Sequence, residues 1–227
     1  FYENQINGLP PSFTTLKNLE ILNIGWNKLE SLPENIGDLT ELKKIFIYSN
    51  GISNLPASFG NLRKLNYIDF STNLLEKIPE TITTLTNMEY LDLSINKLVT
   101  LPNSICDLVL LKHLDLSANK LESLPFNFGR LDQVEYLDLG ENHLNSLPDS
   151  IGNMKNLKNL YLYENNLSKL PETFGSLASL EILDVSLNTL QTLHASLGNL
   201  KNLEELYIFN NGFKAVPESV DMLDHLI

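Results

Sequence analysis

The sequence predicts an α/β solenoid: a right-handed horseshoe with a parallel β-sheet on the concave face, and turns with short helical or 3₁₀ segments on the convex face. Three observations predict it. Asparagine recurs every 23 residues, at Asn4, Asn27, Asn50, Asn73, Asn96, Asn119, Asn142, Asn165, Asn188 and Asn211, with no insertion or deletion. Just before each one lies a stretch such as Tyr90-Leu91-Asp92-Leu93-Ser94, in which apolar residues alternate with others. Nine of the ten prolines occupy one position of the same period. A fixed period of this length marks a stack of supersecondary units, none of which can bury its apolar side alone.

The core follows from the columns. One turn supplies Met88, Leu91, Leu93, Leu98, Leu101, Ile105 and Leu108, and the next supplies Leu111, Leu114, Leu116, Leu121, Leu124, Phe128 and Leu131. Seven apolar columns therefore run along the chain and form one continuous core on stacking. The alternation from Tyr90 to Ser94 has period two, which predicts a strand with Leu91 and Leu93 inward. Asn96 follows where the chain bends. Its amide both donates and accepts, so a ladder of these side chains can satisfy backbone groups freed at the bend. The ladder from Asn27 to Asn211 is read as structural.

The return segment is Leu101-Pro102-Asn103-Ser104-Ile105-Cys106-Asp107-Leu108. Proline fixes φ and donates no hydrogen bond, so this side cannot continue as sheet. A short helical or 3₁₀ piece is expected to begin near Ser104 and its equivalents. Cys106 shares its column with Gly37, Gly60, Gly129, Gly152, Gly175 and Gly198 and reads as a packed spare thiol. His194 replaces the expected proline, as drift on the convex side. Phe1 falls on a strand position and Leu226-Ile227 stop just before another. Neither end carries a polar cap, so a fragment, or a chain without its caps, is expected.

Residues 1–227 are read as a single domain of about nine to ten repeats, with no linker. The net charge is −12, with only 16 Lys and Arg. That balance argues against nucleic acid, which needs a basic stripe, and against an anionic membrane surface. A basic protein suits the field better. A lone cysteine excludes an intrachain disulfide. No apolar run approaches a membrane span, and the first residues read as mid-repeat and not as a signal peptide.

The unit L-P-x-x-[IF]-G-x-L-x-x-L-x-x-L-x-L-x-x-N-x-L, seen in Leu147-Pro148-Asp149-Ser150-Ile151-Gly152-Asn153-Met154 and in Leu111 to Leu121, resembles the 23-residue leucine-rich-repeat proteins. Within them it is similar to the Ras-group type of plants and animals and to the arrays of bacterial pathogens, notably spirochaetes. The resemblance spans essentially the whole chain. It implies a leucine-rich-repeat horseshoe that recognises proteins through its concave sheet and is often one part of a longer protein.

Strand positions that are not leucine should line that sheet. At its centre they form a carboxylate ladder, Asp69, Asp92, Asp115 and Asp138, beside Tyr67, Tyr90, His113 and Tyr136. Phe46 and Tyr48 flank the ladder on one side, Tyr161 and Tyr163 on the other. Like charges opposite each other in a sheet are unfavourable. Two readings fit: the carboxylates meet Lys or Arg of a ligand, or they are solvated and bonded to nearby Ser and Tyr hydroxyls. The water-facing rings suit an interface, where tyrosines serve as rigid anchors.

The expected function is therefore a non-enzymatic protein-interaction module, with a protein ligand that is basic where it meets the ladder. A bacterial host-interaction or surface role is favoured, with a secreted or cell-surface location and the cytoplasm as the alternative. One alternative function is a Ca or Zn site on two stacked aspartates with His113. A flat ladder offers oxygens from one side only, whereas Ca²⁺ wants six to eight around it, so no metal or other cofactor is assigned. Another is a targeting or scaffold fragment of a larger signalling protein. No nucleophile, phosphate-loop or zinc-protease motif is present, and a shallow sheet is not expected to raise carboxylate pKa values. The chain is expected to be a monomer, or to associate weakly end to end through uncapped edges. Asn166-Leu167-Ser168 matches the N-glycosylation pattern by chance.

Overall fold

The computed structural model describes residues 1–227. Nine three-residue strands form one open sheet: β1 (Ile21–Asn23), β2 (Lys44–Phe46), β3 (Tyr67–Asp69), β4 (Tyr90–Asp92), β5 (His113–Asp115), β6 (Tyr136–Asp138), β7 (Asn159–Tyr161), β8 (Ile182–Asp184) and β9 (Glu205–Tyr207). They pair in chain order, every pair parallel, and each step of the register is one repeat: Tyr90 lies opposite His113, Leu91 opposite Leu114, Asp92 opposite Asp115. Short 3₁₀ segments, from Pro11–Thr15 to Glu218–Met222, return the chain on the other side. They are bulkier than strands, so stacking them curves the sheet inward into a horseshoe.

The core is a single cluster running through every turn. Leu91, Leu114 and Leu137 of consecutive strands are fully buried, and Phe59 and Phe70 meet within it at 5.5 Å. Burying an aliphatic side chain of this size is worth about 1.5–3 kcal/mol. Each turn gains that stabilisation only from its neighbours.

The strands are shorter than the alternation predicts. Leu93 is buried, yet it lies beyond β4. Phe1 likewise falls in no strand and is exposed. The reason is a bend absent from the sequence reading. Ile95, directly before Asn96, has φ 51°, and the same left-handed conformation recurs before every ladder asparagine, including Trp26, Thr72 and Leu187. None of these is glycine, and the left-handed region costs an L-residue roughly 1–2 kcal/mol. Bonds between turns hold it in place: Ile95 N–H donates to Ser117 O (2.9 Å) and Asn96 N–H to Ala118 O (3.2 Å).

The ladder asparagines bond to the backbone of their own turn and of the preceding one. Asn96 Nδ2 donates to Leu93 O, to Ser94 O and, across to the preceding turn, to Phe70 O, each at 3.0 Å. Its Oδ1 accepts from Leu75 N–H of that preceding turn at 2.9 Å. Asn119 repeats the set one turn on.

The convex segments begin one residue earlier than expected. Asn103–Asp107 follows Pro102 at the cap, and no side chain caps it. The Ser104 column has another task, tying turns together. Ser150 Oγ donates to Phe126 O (2.7 Å) and accepts from Gly129 N–H (3.1 Å). A side chain on Gly129 would stand 1.7 Å from Ser150 O. Where the Ser104 column carries Asn35 or Asn127, the segment is shortened to Ile36–Asp38 or Phe128–Arg130, with that asparagine at its cap. Cys106 is fully buried, and burial pushes its thiol up to about 11. His194 takes over the proline's place as cap, its Nδ1 accepting from Ser196 N–H at 3.1 Å.

Candidate functional site: the concave wall

The parallel register places the first residues of β3 to β6 side by side, and their rings stack. Tyr67 and Tyr90 lie 4.0 Å apart at 2°, Tyr90 and His113 4.2 Å at 6°, His113 and Tyr136 4.3 Å at 8°. The row is closed at both ends by a ring from the neighbouring column. Phe46 tilts against Tyr67 at 4.9 Å, and Tyr161 against Tyr136 at 5.5 Å. Lys44 Nζ stands 5.6 Å above the Tyr67 ring. The faces of the stacked rings are thus spent on one another, so the row presents edges and hydroxyls.

Asp69, Asp92, Asp115 and Asp138 line up in register on β3 to β6, as the alternation requires. Asp92 Oδ1 accepts from Ser94 N–H (2.9 Å) and Ser94 Oγ (2.7 Å). Asp69 and Asp115 repeat this with Ser71 and Ser117. Asp138 accepts instead from Gly140 N–H (2.8 Å) and, more weakly, from the Tyr136 hydroxyl (3.4 Å). Every ion pair of the chain lies elsewhere, as in Lys112–Glu89 and Lys158–Glu135, and no cation stands within 4.0 Å of the ladder.

The expectation of ordinary carboxylates on a shallow sheet fails at Asp92 and Asp138. Burial pushes Asp92 up to about 6 and Asp138 to about 7, against the Ser94 and Gly140 N–H bonds, with neighbouring carboxylates adding to the rise. Side chains one strand spacing apart exclude water as a pocket would. Burial also lowers the His113 imidazole and raises the phenols of Tyr90, Tyr136 and Tyr163.

The flanking rings reveal a pairing that sequence reading passed over. Tyr48 covers Gly25 and Tyr163 covers Gly140; an added Cβ would stand 2.6 Å and 2.3 Å from those rings. The signal was present: in each case glycine lies 23 residues before the tyrosine. All twelve predicted wall residues lie on or beside this sheet. Phe46 and the stacked row form one connected group, while Tyr48 packs toward Tyr2 at 6.2 Å. No group of His, Cys, Asp and Glu has a metal-holding arrangement, and no helix is long and apolar enough to cross a membrane.

Comparison with known proteins agrees with this architecture. A family model described as a leucine-rich repeat region matches residues 80–160 and 127–227, and a leucine rich repeat model matches 18–39. No curated protein sequence matches. Among solved structures, a leucine-rich repeat protein of Leptospira interrogans is 26% identical, with a TM-score of 0.66 over 98% of this chain and 74% of its own. The ectodomain of the plant membrane receptor kinase GASSHO1/SCHENGEN3 from Arabidopsis thaliana, in complex with CASPARIAN STRIP INTEGRITY FACTOR 2, is 30% identical, with a TM-score of 0.89 over 99% of this chain. This chain spans only 28% of that ectodomain. An internalin of Listeria monocytogenes, 18% identical with a TM-score of 0.78, is alike in fold alone.

Proposed function

Because this chain belongs to the leucine-rich repeat family, we propose that it is a non-enzymatic recognition module whose concave wall holds a protein ligand, basic where it meets the aspartates. The observation that carries this reading is the unneutralised ladder from Asp69 to Asp138, lined by Tyr67, Tyr90, His113 and Tyr136. Uncompensated carboxylates held partly out of water are costly to the free protein, and a cationic group of a ligand relieves that cost. Tyrosines beside them offer contact area with little side-chain entropy to lose. The GASSHO1/SCHENGEN3 complex supports binding of a protein factor by this architecture. The same relative, a membrane receptor's ectodomain, supports a secreted or cell-surface location. The repeat unit favours the Ras-group and bacterial-pathogen type.

A pull-down with the intact protein beside Asp92→Ala/Asp115→Ala and Tyr136→Ala tests the proposal. Partners held by the wall should associate more slowly with the double variant and show a flatter salt dependence. A partner whose affinity and salt dependence are the same for all three proteins would sink it.

A further inference from the structure

We infer that Asn7 is a site of spontaneous deamidation yielding isoaspartate, and that the fold shields the chain's two other Asn-Gly pairs from the same reaction.

Three asparagines precede glycine: Asn7-Gly8, Asn50-Gly51 and Asn211-Gly212. In such a pair the glycine nitrogen, once its proton has gone to solvent base, can attack the asparagine Cγ. The bond from that nitrogen to Cγ forms and the Cγ–Nδ2 bond breaks. Nδ2 leaves as ammonia, taking a proton from solvent. Water then opens the resulting five-membered imide. Cleavage at the side-chain carbonyl gives aspartate, and cleavage at the main-chain carbonyl gives isoaspartate. Water is the only co-reactant, and nothing is oxidised or reduced. Glycine hinders the attack least, because it has no Cβ and lets main chain approach closely.

The three pairs are chemically alike and structurally unlike. Asn50 and Asn211 belong to the asparagine ladder. One residue pins both reacting groups of Asn50-Gly51: Leu29 N–H donates to Asn50 Oδ1 at 2.9 Å, and Leu29 O accepts from Gly51 N–H at 2.8 Å. Asn50 Nδ2 donates to the carbonyls of Ile24, Ile47 and Tyr48 as well. Leu190 holds Asn211 and Gly212 in the same manner, at 2.9 and 2.8 Å. In both pairs the nucleophile keeps its proton engaged, and Cγ cannot turn towards it until these bonds break.

Asn7 has no such hold. Its side chain and the Gly8 N–H make no hydrogen bond, both residues are exposed, and a Cβ on Gly8 would meet nothing within 4 Å. This belongs to the position within the repeat. Glu76-Lys77, Asn145-Ser146 and Gln191-Thr192 fill the same place in later turns, are exposed too, and leave the second N–H without a backbone acceptor.

The folded protein is incubated at mildly alkaline pH, and each pair is followed by peptide mapping with mass spectrometry. Methyl transfer by an isoaspartyl carboxyl methyltransferase marks the isoaspartate. Asn7 should convert about a hundredfold faster than Asn50 or Asn211, because a reaction that waits on local opening proceeds only in the open fraction of molecules. In urea, with the ladder gone, the three rates should converge. Gly8→Ala should slow Asn7 about tenfold, and Ser146→Gly should make Asn145 a second fast site, within about tenfold of Asn7. Circular dichroism checks that both variants fold. Conversion of Asn7 no faster than that of the ladder asparagines, a difference that persists in urea, no effect of Gly8→Ala, or a slow Asn145 in the Ser146→Gly protein would overturn the inference.

Discussion

Tyr163 occupies the space that a side chain on Gly140, one strand earlier, would need: a Cβ there would stand 2.3 Å from Tyr163 Cε1. The glycine and the ring of the next turn are one structural unit. The same relation joins Gly25 to Tyr48. Gly129 is crowded differently, by the backbone oxygen of Ser150.

This difference sets an order of damage. Gly140→Ala is accommodated by rotation of the Tyr163 ring and should cost about 1 kcal/mol, with Tyr163 displaced from the wall. Gly129→Ala drives a methyl group into main chain and should cost about 3 kcal/mol. Urea unfolding of both variants checks the order, and a more severe Gly140→Ala would contradict it.

Stability should fall as pH rises through neutrality. Asp92 and Asp138 have folded pKa values of about 6 and about 7, above the unfolded value of about 3.9. Folding favours their protonated forms. The contribution is complete below pH ~4 and is lost as pH rises through ~6 to ~7. His113, lowered by burial, acts oppositely, since its contribution is lost on acidification. The decisive readout is therefore a difference. Between pH 7.5 and 5.5, wild type should gain about 1–2 kcal/mol relative to Asp92→Asn/Asp138→Asn. Parallel pH profiles for the two proteins would refute this.

The asparagine ladder should be weakest at its margins. Asn119→Ala strands the buried Leu98 N–H, which donates to Asn119 Oδ1, and takes one of two donors from Leu93 O, Leu116 O and Ser117 O, which keep Asn96 Nδ2, Asn142 Nδ2 and Ile95 N–H. Leaving that N–H unpaired and losing three further bonds should cost about 3 kcal/mol. Asn211 sits in a less buried setting, and Asn211→Ala should cost less than half as much. Thermal unfolding of the two variants decides between this gradient and equal contributions.

Relieving the bend should stabilise the chain. Ile95 is exposed, β-branched and left-handed at φ 51°. Ile95→Gly removes steric strain and loses some ground to the greater freedom of the unfolded glycine, for a net gain of up to about 1 kcal/mol. A lower melting temperature for this variant would show that the Ile95 side chain contributes more than its backbone conformation costs.

The sequence made the stack legible because period and core share one cause. A column holding Leu91, Leu114 and Leu137 can only be an inward line, so its outward neighbours Asp92, Asp115 and Asp138 were placed with it. The left-handed bend was not legible, because Trp26, Thr72 and Ile95 carry no glycine signal; bonds between turns, not local preference, impose it. The raised Asp138 carboxyl was hidden for a similar reason: its strand partners are Asp115 and Tyr161 of the adjacent turns, so its surroundings are set between turns and not by its sequence neighbours alone. The Gly140–Tyr163 pair could have been found by reading the glycine column one period ahead.

Since the inter-turn bonds of Asn96 recur unchanged at Asn119, a whole 23-residue unit can be duplicated or deleted within the array without orphaning a bond of the asparagine ladder. The concave wall then lengthens or shortens in fixed increments. Unequal recombination between copies would resize that wall in one event, a change of dimension that no series of point substitutions in a compact globular core provides.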